Sequence, residues 1–116
     1  MTADSFRRMA LKLPEAQERG HHGHPDFRVR GKIFATIGYP ENNRAMVKLT
    51  PEQQNEFVAA TPKVFEPVTG AWGRQGCTSV HLRTATKPIL QEALVAAWCN
   101  AAPKLLAQQF EASVKL

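Results

Sequence analysis

The stretch that decides the fold is Asp26-Phe27-Arg28-Val29-Arg30-Gly31-Lys32-Ile33-Phe34-Ala35-Thr36-Ile37. Side chains of an extended chain alternate between two faces, so Phe27 and Val29 share one face and the two arginines share the other. A glycine then interrupts the alternation, and an apolar segment follows it. An alternating segment, a glycine and an apolar segment together predict a β-hairpin with cations at its bend.

Two helices are predicted before residue 62. In the first, apolar residues recur at helical spacing and end at Leu13, which is followed by a proline. The second begins after Thr50, which can form a capping box with Gln53 around a proline at the first helical position. Pro62 sets the limit of this second helix.

A third helix is predicted near the carboxyl end, where Leu90, Leu94 and Trp98 form an apolar stripe at helical spacing. The stripe should bury Trp98 between the helix and the sheet. Pro103 either kinks this helix or starts a second one. Residues 111–116 are predicted to be a frayed tail.

The other segments are predicted to be strands and loops. Residues 45–49 and 77–83 alternate as strands do, and residues 64–66 form a short extended piece. Residues 15–25 hold glycines, prolines and histidines without periodicity, which indicates a loop. The glycine-rich residues 69–76 are predicted to form a bent strand or a hairpin tip.

The order of these elements predicts an α+β fold. Antiparallel strands with short connections form a two-layer sandwich, in which the N-terminal, middle and C-terminal helices pack on one face of the sheet. The chain has 116 residues, of which 43% are hydrophobic and 22% charged, and this composition suits a single domain over residues 1–116.

The location of the protein is predicted from what the sequence lacks. Cys77 and Cys99 are too few for a disulfide framework and favour a reducing compartment. The first residues lack the apolar region of a secretory signal, and no apolar run is long enough to cross a membrane. We therefore expect a cytoplasmic monomer with no membrane partner.

Several motifs, in a fixed order, resemble those of the MmcQ/YjbR-like family. They are Leu13-Pro14-Glu15, His24-Pro25-Asp26-Phe27-Arg28-Val29, Gly31-Lys32-Ile33-Phe34-Ala35, Val47-Lys48-Leu49, Thr50-Pro51-Glu52, and Trp72 with the closing helix. The resemblance covers residues 2–110 and implies the compact fold often described as CyaY-like. The family is largely uncharacterised, and DNA binding has been suggested for it from similarity to double-wing DNA-binding domains.

A net charge of +5 and cations on the outward side of the predicted strands indicate a surface for nucleic acid. The candidate residues are Arg28, Arg30, Lys32, Lys48, Trp72, Arg74 and Arg83. Such cations can neutralise phosphates, and a tryptophan can stack on an unpaired base. The leading hypothesis is sequence-tolerant DNA binding through the sheet face and hairpin tips, without catalysis or a cofactor.

The alternative hypothesis is a protein-interaction or small-ligand module that uses a groove near Trp72. The two hypotheses differ in whether the cations converge on one surface or Trp72 lines a concave apolar pocket. Solvated cations and a core position for Trp72 are the purely structural alternatives.

Neither a catalytic site nor a metal site is predicted, and an enzyme is the third hypothesis. Cys77 and His81 share a strand face but lie ~13 Å apart along it, beyond hydrogen-bond reach. His21, His22 and His24 lie close together in a predicted loop, where adjacent histidines rarely point at one centre. We therefore expect no bound metal.

Overall fold

One six-stranded antiparallel sheet organises the computed structural model of the chain, which describes residues 1–21, 24–38 and 43–114 except for the side chains of His21 and Val114. The helices are α1 (Ala3–Leu11), α2 (Pro51–Ala60), α3 (Ala71–Arg74), α4 (Lys87–Ala101) and α5 (Lys104–Val114). The strands are β1 (Ala16–His21), β2 (His24–Val29), β3 (Lys32–Ile37), β4 (Arg44–Lys48), β5 (Phe65–Pro67) and β6 (Cys77–His81). The strand order is β1-β2-β3-β4-β6-β5.

The predicted α+β fold is confirmed. Helices α1 and α4 pack on one side of the sheet, which we call the inner face, and α2 packs beside β5. The side chains of Phe27, Val47 and Val80 are fully buried beneath these helices. Within the described ranges, no helix is both long enough and apolar enough to cross a membrane.

The predicted hairpin is formed by β2 and β3, and its two-residue turn has an unusual backbone. Arg30 and Gly31 have φ angles of 49° and 84°. Positive φ at both central residues is typical of the type I′ turn, whose twist matches that of the paired strands. The side chain of Arg30 is paired with Glu15, whose carboxylate accepts hydrogen bonds of 2.9 and 3.1 Å from its guanidinium.

A β-bulge in β3 changes which side chains share a face. Phe27 pairs with Ala35, but the next residue, Arg28, pairs with Ile33, so Phe34 is an extra residue. A bulge of this kind places two successive residues on the same side of the sheet. Phe34 and Ala35 are accordingly both fully buried, and Ile33 lies on the opposite, outer face beside Arg28.

Trp98 of α4 contacts both α5 and the segment that follows α1. It is fully buried, as its apolar stripe predicts, and its indole N–H donates a 3.0 Å hydrogen bond to the carbonyl of Pro14. Its ring lies 5.0 Å from that of Phe110 in α5. Pro103 therefore precedes a second helix, which is the second of the two alternatives predicted from the sequence.

Three segments differ from the sequence-based expectation. The predicted loop at residues 15–25 contains β1, which pairs with β2 along its full length. Residues 71–74 form the short helix α3 instead of a bent strand. Strand β6 ends at His81, so Arg83 lies in the turn that follows it. Helix α5 ends at Val114, and fraying of residues 111–116 stays a prediction.

Candidate functional site

Trp72 is an exposed aromatic residue held on a rigid segment. It has 63% of its surface exposed. The two glycines near it pack against backbone so closely that they leave no room for a side chain. A Cβ at Gly73 would lie 1.6 Å from the carbonyl oxygen of Val68, and one at Gly76 would lie 1.9 Å from that of Leu49. The segment that carries Trp72, residues 70–76, is thus in direct contact with the backbone of Val68 and with that of Leu49.

Gln54 of α2 is hydrogen-bonded to the backbone of the same segment and of the strand that follows it. Its buried side-chain amide donates hydrogen bonds of 2.9 Å to the carbonyl of Gly73 and 3.0 Å to that of Cys77. Burying an amide is unfavourable unless its hydrogen bonds are made, and both N–H groups of Gln54 have partners here. The position of Trp72 is therefore set by α2 as well as by the glycines.

Two grooves meet at Trp72 and Lys48, whose Nζ lies 6.0 Å from the centroid of the indole ring. The first, which we call the sheet groove, has a volume of about 730 Å³ and crosses the outer face from β2 to the segment between β5 and α3. The second, the hairpin groove, has a volume of about 540 Å³ and lies between the β2–β3 turn, the start of α2 and the end of α4. Ile33 and Cys77 line both grooves.

One row of cross-strand neighbours forms the floor of the sheet groove. In order across the sheet, the row consists of Asp26, Thr36, Met46, Ser79 and Glu66. It therefore has a carboxylate at each end and a methionine in the middle. The groove combines an apolar centre with polar ends.

Each carboxylate of this row is paired with an arginine. Asp26 is buried, and its oxygens accept hydrogen bonds of 2.9 and 3.2 Å from Arg28. Glu66 accepts 2.8 Å hydrogen bonds from Arg44 and, at the same oxygen, from Nε2 of His81. The bonds from His81 and Arg44 lower the pKa of Glu66 below its ordinary value.

The hairpin groove has a different charge. Among the described residues that line it are Arg28, Lys32 and Lys48, and no Asp or Glu belongs to this lining. No carboxylate of the described residues lies within ion-pair distance of either lysine. This groove therefore offers two lysine charges that the described part of the chain does not neutralise.

The structure brings together four of the seven residues predicted to bind nucleic acid. Arg28, Lys32, Lys48 and Trp72 line the hairpin groove, and the last two also line the sheet groove. The other three, Arg30, Arg74 and Arg83, line neither groove.

The expectation that Arg83 points outward from a strand is wrong, because β6 has already ended when the chain reaches it.

The residues that the sequence-based prediction missed are the acidic ones and their partners. Asp26 lies two positions before Arg28, and the strand period alone would have placed both on one face. Arg44 and Glu66 are 22 residues apart, and only the strand order β4-β6-β5 brings them together. No local pattern predicts that pair.

The structure gives no support to a cysteine nucleophile. Burial raises the pKa of the Cys77 thiol, and the nearby charge of Lys48 offsets this only in part. A thiol with a raised pKa is a poor nucleophile at neutral pH. His81 is hydrogen-bonded to Glu66, on the adjoining strand.

The histidine cluster is described only in part. His22 and the side chain of His21 lie outside the described residues, while His24 lines the sheet groove. In the described part of the chain, no three histidine, cysteine, aspartate or glutamate side chains are grouped as metal ligands would be.

Comparisons with known proteins identify a family and a fold. A family model described as YjbR matches residues 11–100. A crystal structure of a Deinococcus radiodurans protein with a DUF419 domain has a TM-score of 0.70 and 21% identity, and the match covers 85% of this chain and 77% of that one. A Pseudomonas syringae protein has a TM-score of 0.66 and 14% identity, with 87% and 99% covered. No curated protein matches the chain.

Proposed function

The chain belongs to the YjbR family, as the motifs from Leu13 to Thr50 suggest, and from the geometry around Trp72 we propose that it is a binding module for a flat organic molecule. The observation that carries the proposal is an exposed tryptophan held rigidly between two grooves. The proposed ligand stacks on Trp72 and fills the sheet groove.

Rigidity is what favours a binding role for this side chain. An exposed tryptophan on a mobile loop would lose conformational entropy on binding, which reduces affinity. Gly73, Gly76 and Gln54 fix the backbone around Trp72 before any ligand arrives. Such preorganisation is the general means by which a small contact area gives useful affinity.

The sheet groove has the size and character of a ligand site. Its volume of about 730 Å³ lies in the range of roughly 300–1,000 Å³ that is usual for small-molecule pockets. Met46, Ile33 and Val68 give it an apolar lining, and the ion pairs at its ends supply a few fixed polar groups. Such a combination binds an apolar body and fixes its orientation.

We predict that Trp72→Ala lowers the affinity for a neutral flat dye by about five- to 150-fold, since stacking on an aromatic side chain is worth about 1–3 kcal/mol. The probe is Nile red, whose fluorescence rises in an apolar site, and the measurement is its dissociation constant. Trp72→Phe should retain most of the affinity because the ring is kept.

Leu105→Ala is the matched control for this experiment. Leu105 is the other large apolar residue that is mostly exposed among those described, and it lies in α5 and lines neither groove. Its removal should leave the dye affinity unchanged. Equal losses in Leu105→Ala and Trp72→Ala, or none in Trp72→Ala, would overturn the proposed function.

DNA binding is the second candidate, and the meeting of Arg28, Lys32, Lys48 and Trp72 at one groove supports it. Two ion pairs argue against DNA binding by the arginines of the hairpin. The guanidinium of Arg28 is engaged by Asp26 and that of Arg30 by Glu15, so neither is free to neutralise a phosphate without giving up a partner. Lys32 and Lys48 are therefore the residues on which this candidate depends.

For the DNA candidate we predict an affinity that falls steeply with salt, because phosphate contacts release counterions. The double variant Lys32→Ala/Lys48→Met should reduce the slope of log affinity against log salt by about two, roughly one for each contact. The measurement is a titration of duplex and single-stranded oligonucleotides at several salt concentrations. Lys12→Ala, directly after α1, should leave the slope unchanged, and an unchanged slope in the double variant would exclude this surface.

A further inference from the structure

We infer that the preferred ligand of this site carries a phosphate group joined to its flat ring through a short linker, as in a nucleotide, and places that phosphate in the hairpin groove, an inference that rests on the proposed function. The site would then be asymmetric. The ring and any apolar part lie against Trp72 and the sheet groove, and the anion lies beside the β2–β3 turn.

The charges of the two grooves decide this orientation. Lys32 and Lys48 line the hairpin groove with no carboxylate partner among the described residues. The sheet groove has the carboxylates of Asp26 and Glu66 at the two ends of its floor, and its arginine Arg44 is already paired with one of them. An anion is therefore attracted to the lysines of the hairpin groove. In the sheet groove it would meet carboxylates and an arginine that is already paired.

Lys48 and Trp72 lie close enough for one ligand to contact both side chains. The Nζ atom lies 6.0 Å from the indole centroid, and both residues line the two grooves. A ring stacked on Trp72 would therefore hold a substituent of a few bonds in reach of Lys48. A lysine ammonium is a compact charge that suits phosphate oxygens.

The exposure of Lys32 makes it the second contact. It is the first residue of β3, directly after the type I′ turn, and its side chain is exposed at the edge of the hairpin groove. The rigid two-residue turn fixes its backbone. Together the two lysines flank the groove from the hairpin and from β4.

The test compares adenosine monophosphate with adenosine, which share the ring and differ in the phosphate. Isothermal titration at low salt should give about tenfold tighter binding of the monophosphate, and added salt should reduce this ratio, as expected for exposed charges. Lys32→Ala should lower the ratio about threefold, and Lys32→Ala/Lys48→Met should bring it to about one. Arg74→Ala is the matched control. Arg74 is an exposed cation two residues after Trp72 in α3, and it lines neither groove.

The outcomes separate the inference from the proposed function. Equal affinities for adenosine and its monophosphate, no binding of either, or a ratio that Arg74→Ala lowers as much as Lys32→Ala does, would overturn the inference. Binding of the monophosphate that Trp72→Ala leaves intact would overturn it as well, because the ring would not be stacked. Binding of the neutral dye that depends on Trp72 would still support the proposed function in each of these cases.

Discussion

Alanine in place of Trp98 is expected to lower the free energy of unfolding by about 3–5 kcal/mol, the usual range for truncating a buried aromatic side chain. Trp98 is fully buried, and the indole contacts α5 through Phe110 and the segment between α1 and β1 through Pro14. Its removal leaves a cavity and frees α5 from the core. The measurement is denaturant unfolding followed by circular dichroism.

Two further variants are compared with Trp98→Ala. Trp98→Phe keeps most of the ring but loses the hydrogen bond to Pro14, and this bond is worth about 1 kcal/mol. Trp72→Ala should change stability by less than about 0.5 kcal/mol, because that side chain is mostly exposed. If the two alanine variants were equally unstable, Trp98 could not be the central contact between the helices.

The second large effect is expected from Gly76→Ala, which should cost at least about 3 kcal/mol by combining backbone strain with steric overlap. The φ angle of Gly76 is +112°, and an added Cβ would lie 1.9 Å from the carbonyl oxygen of Leu49. That oxygen belongs to the backbone between β4 and α2, so the overlap cannot be relieved by a rotamer change. Thermal and denaturant unfolding measure the loss.

The other two glycines of the segment separate strain from overlap. Gly70 has a φ angle of +86° with nothing within 4 Å of an added Cβ, so Gly70→Ala should cost only the strain of about 1–2 kcal/mol. Gly73 has the overlap with Val68, and its alanine variant should therefore be much less stable than Gly70→Ala. Similar losses in all three variants would contradict the backbone contacts described for this segment.

The spacing of these glycines also shows what a sequence pattern can reveal. Gly70, Gly73 and Gly76 are separated by three residues and match no phosphate-binding motif. In the structure, Gly73 and Gly76 allow close contact with the backbone at Val68 and Leu49, and Gly70 supplies a positive φ angle. The composition predicts a bent strand or a hairpin tip where the chain forms α3, and the close contacts depend on residues distant in the sequence.

Local signals predicted most of the other elements. The capping box of Thr50 and Gln53 is present at the start of α2, and the hairpin turn at Arg30 and Gly31 lies where the sequence places it. Strand β1 was missed because it is an edge strand whose polar residues show no alternation. The face on which each hairpin side chain lies was also only partly predictable, since the extra residue in β3 changes which side chains face outward.

The candidate site was predictable in its residue types more than in its electrostatics. Lys48 and Trp72 were both candidates, and they lie at the junction of the grooves. The pairing of Arg30 with Glu15 required knowledge of β1, because Glu15 directly precedes that strand and is brought beside the hairpin by it. Charges that look free in a sequence are thus neutralised by partners that only the tertiary structure supplies.

The hydrogen bond from Trp98 to Pro14 joins residues 84 positions apart, and this separation governs how the chain can fold during synthesis. The inner faces of β2, β3 and β4 have α4 as their cover, and α4 is translated long after them. Contacts so distant in sequence form slowly, because the intervening chain must be ordered first. We therefore expect the apolar residues of these strands to stay uncovered until α4 has left the ribosome, and the core to close only then.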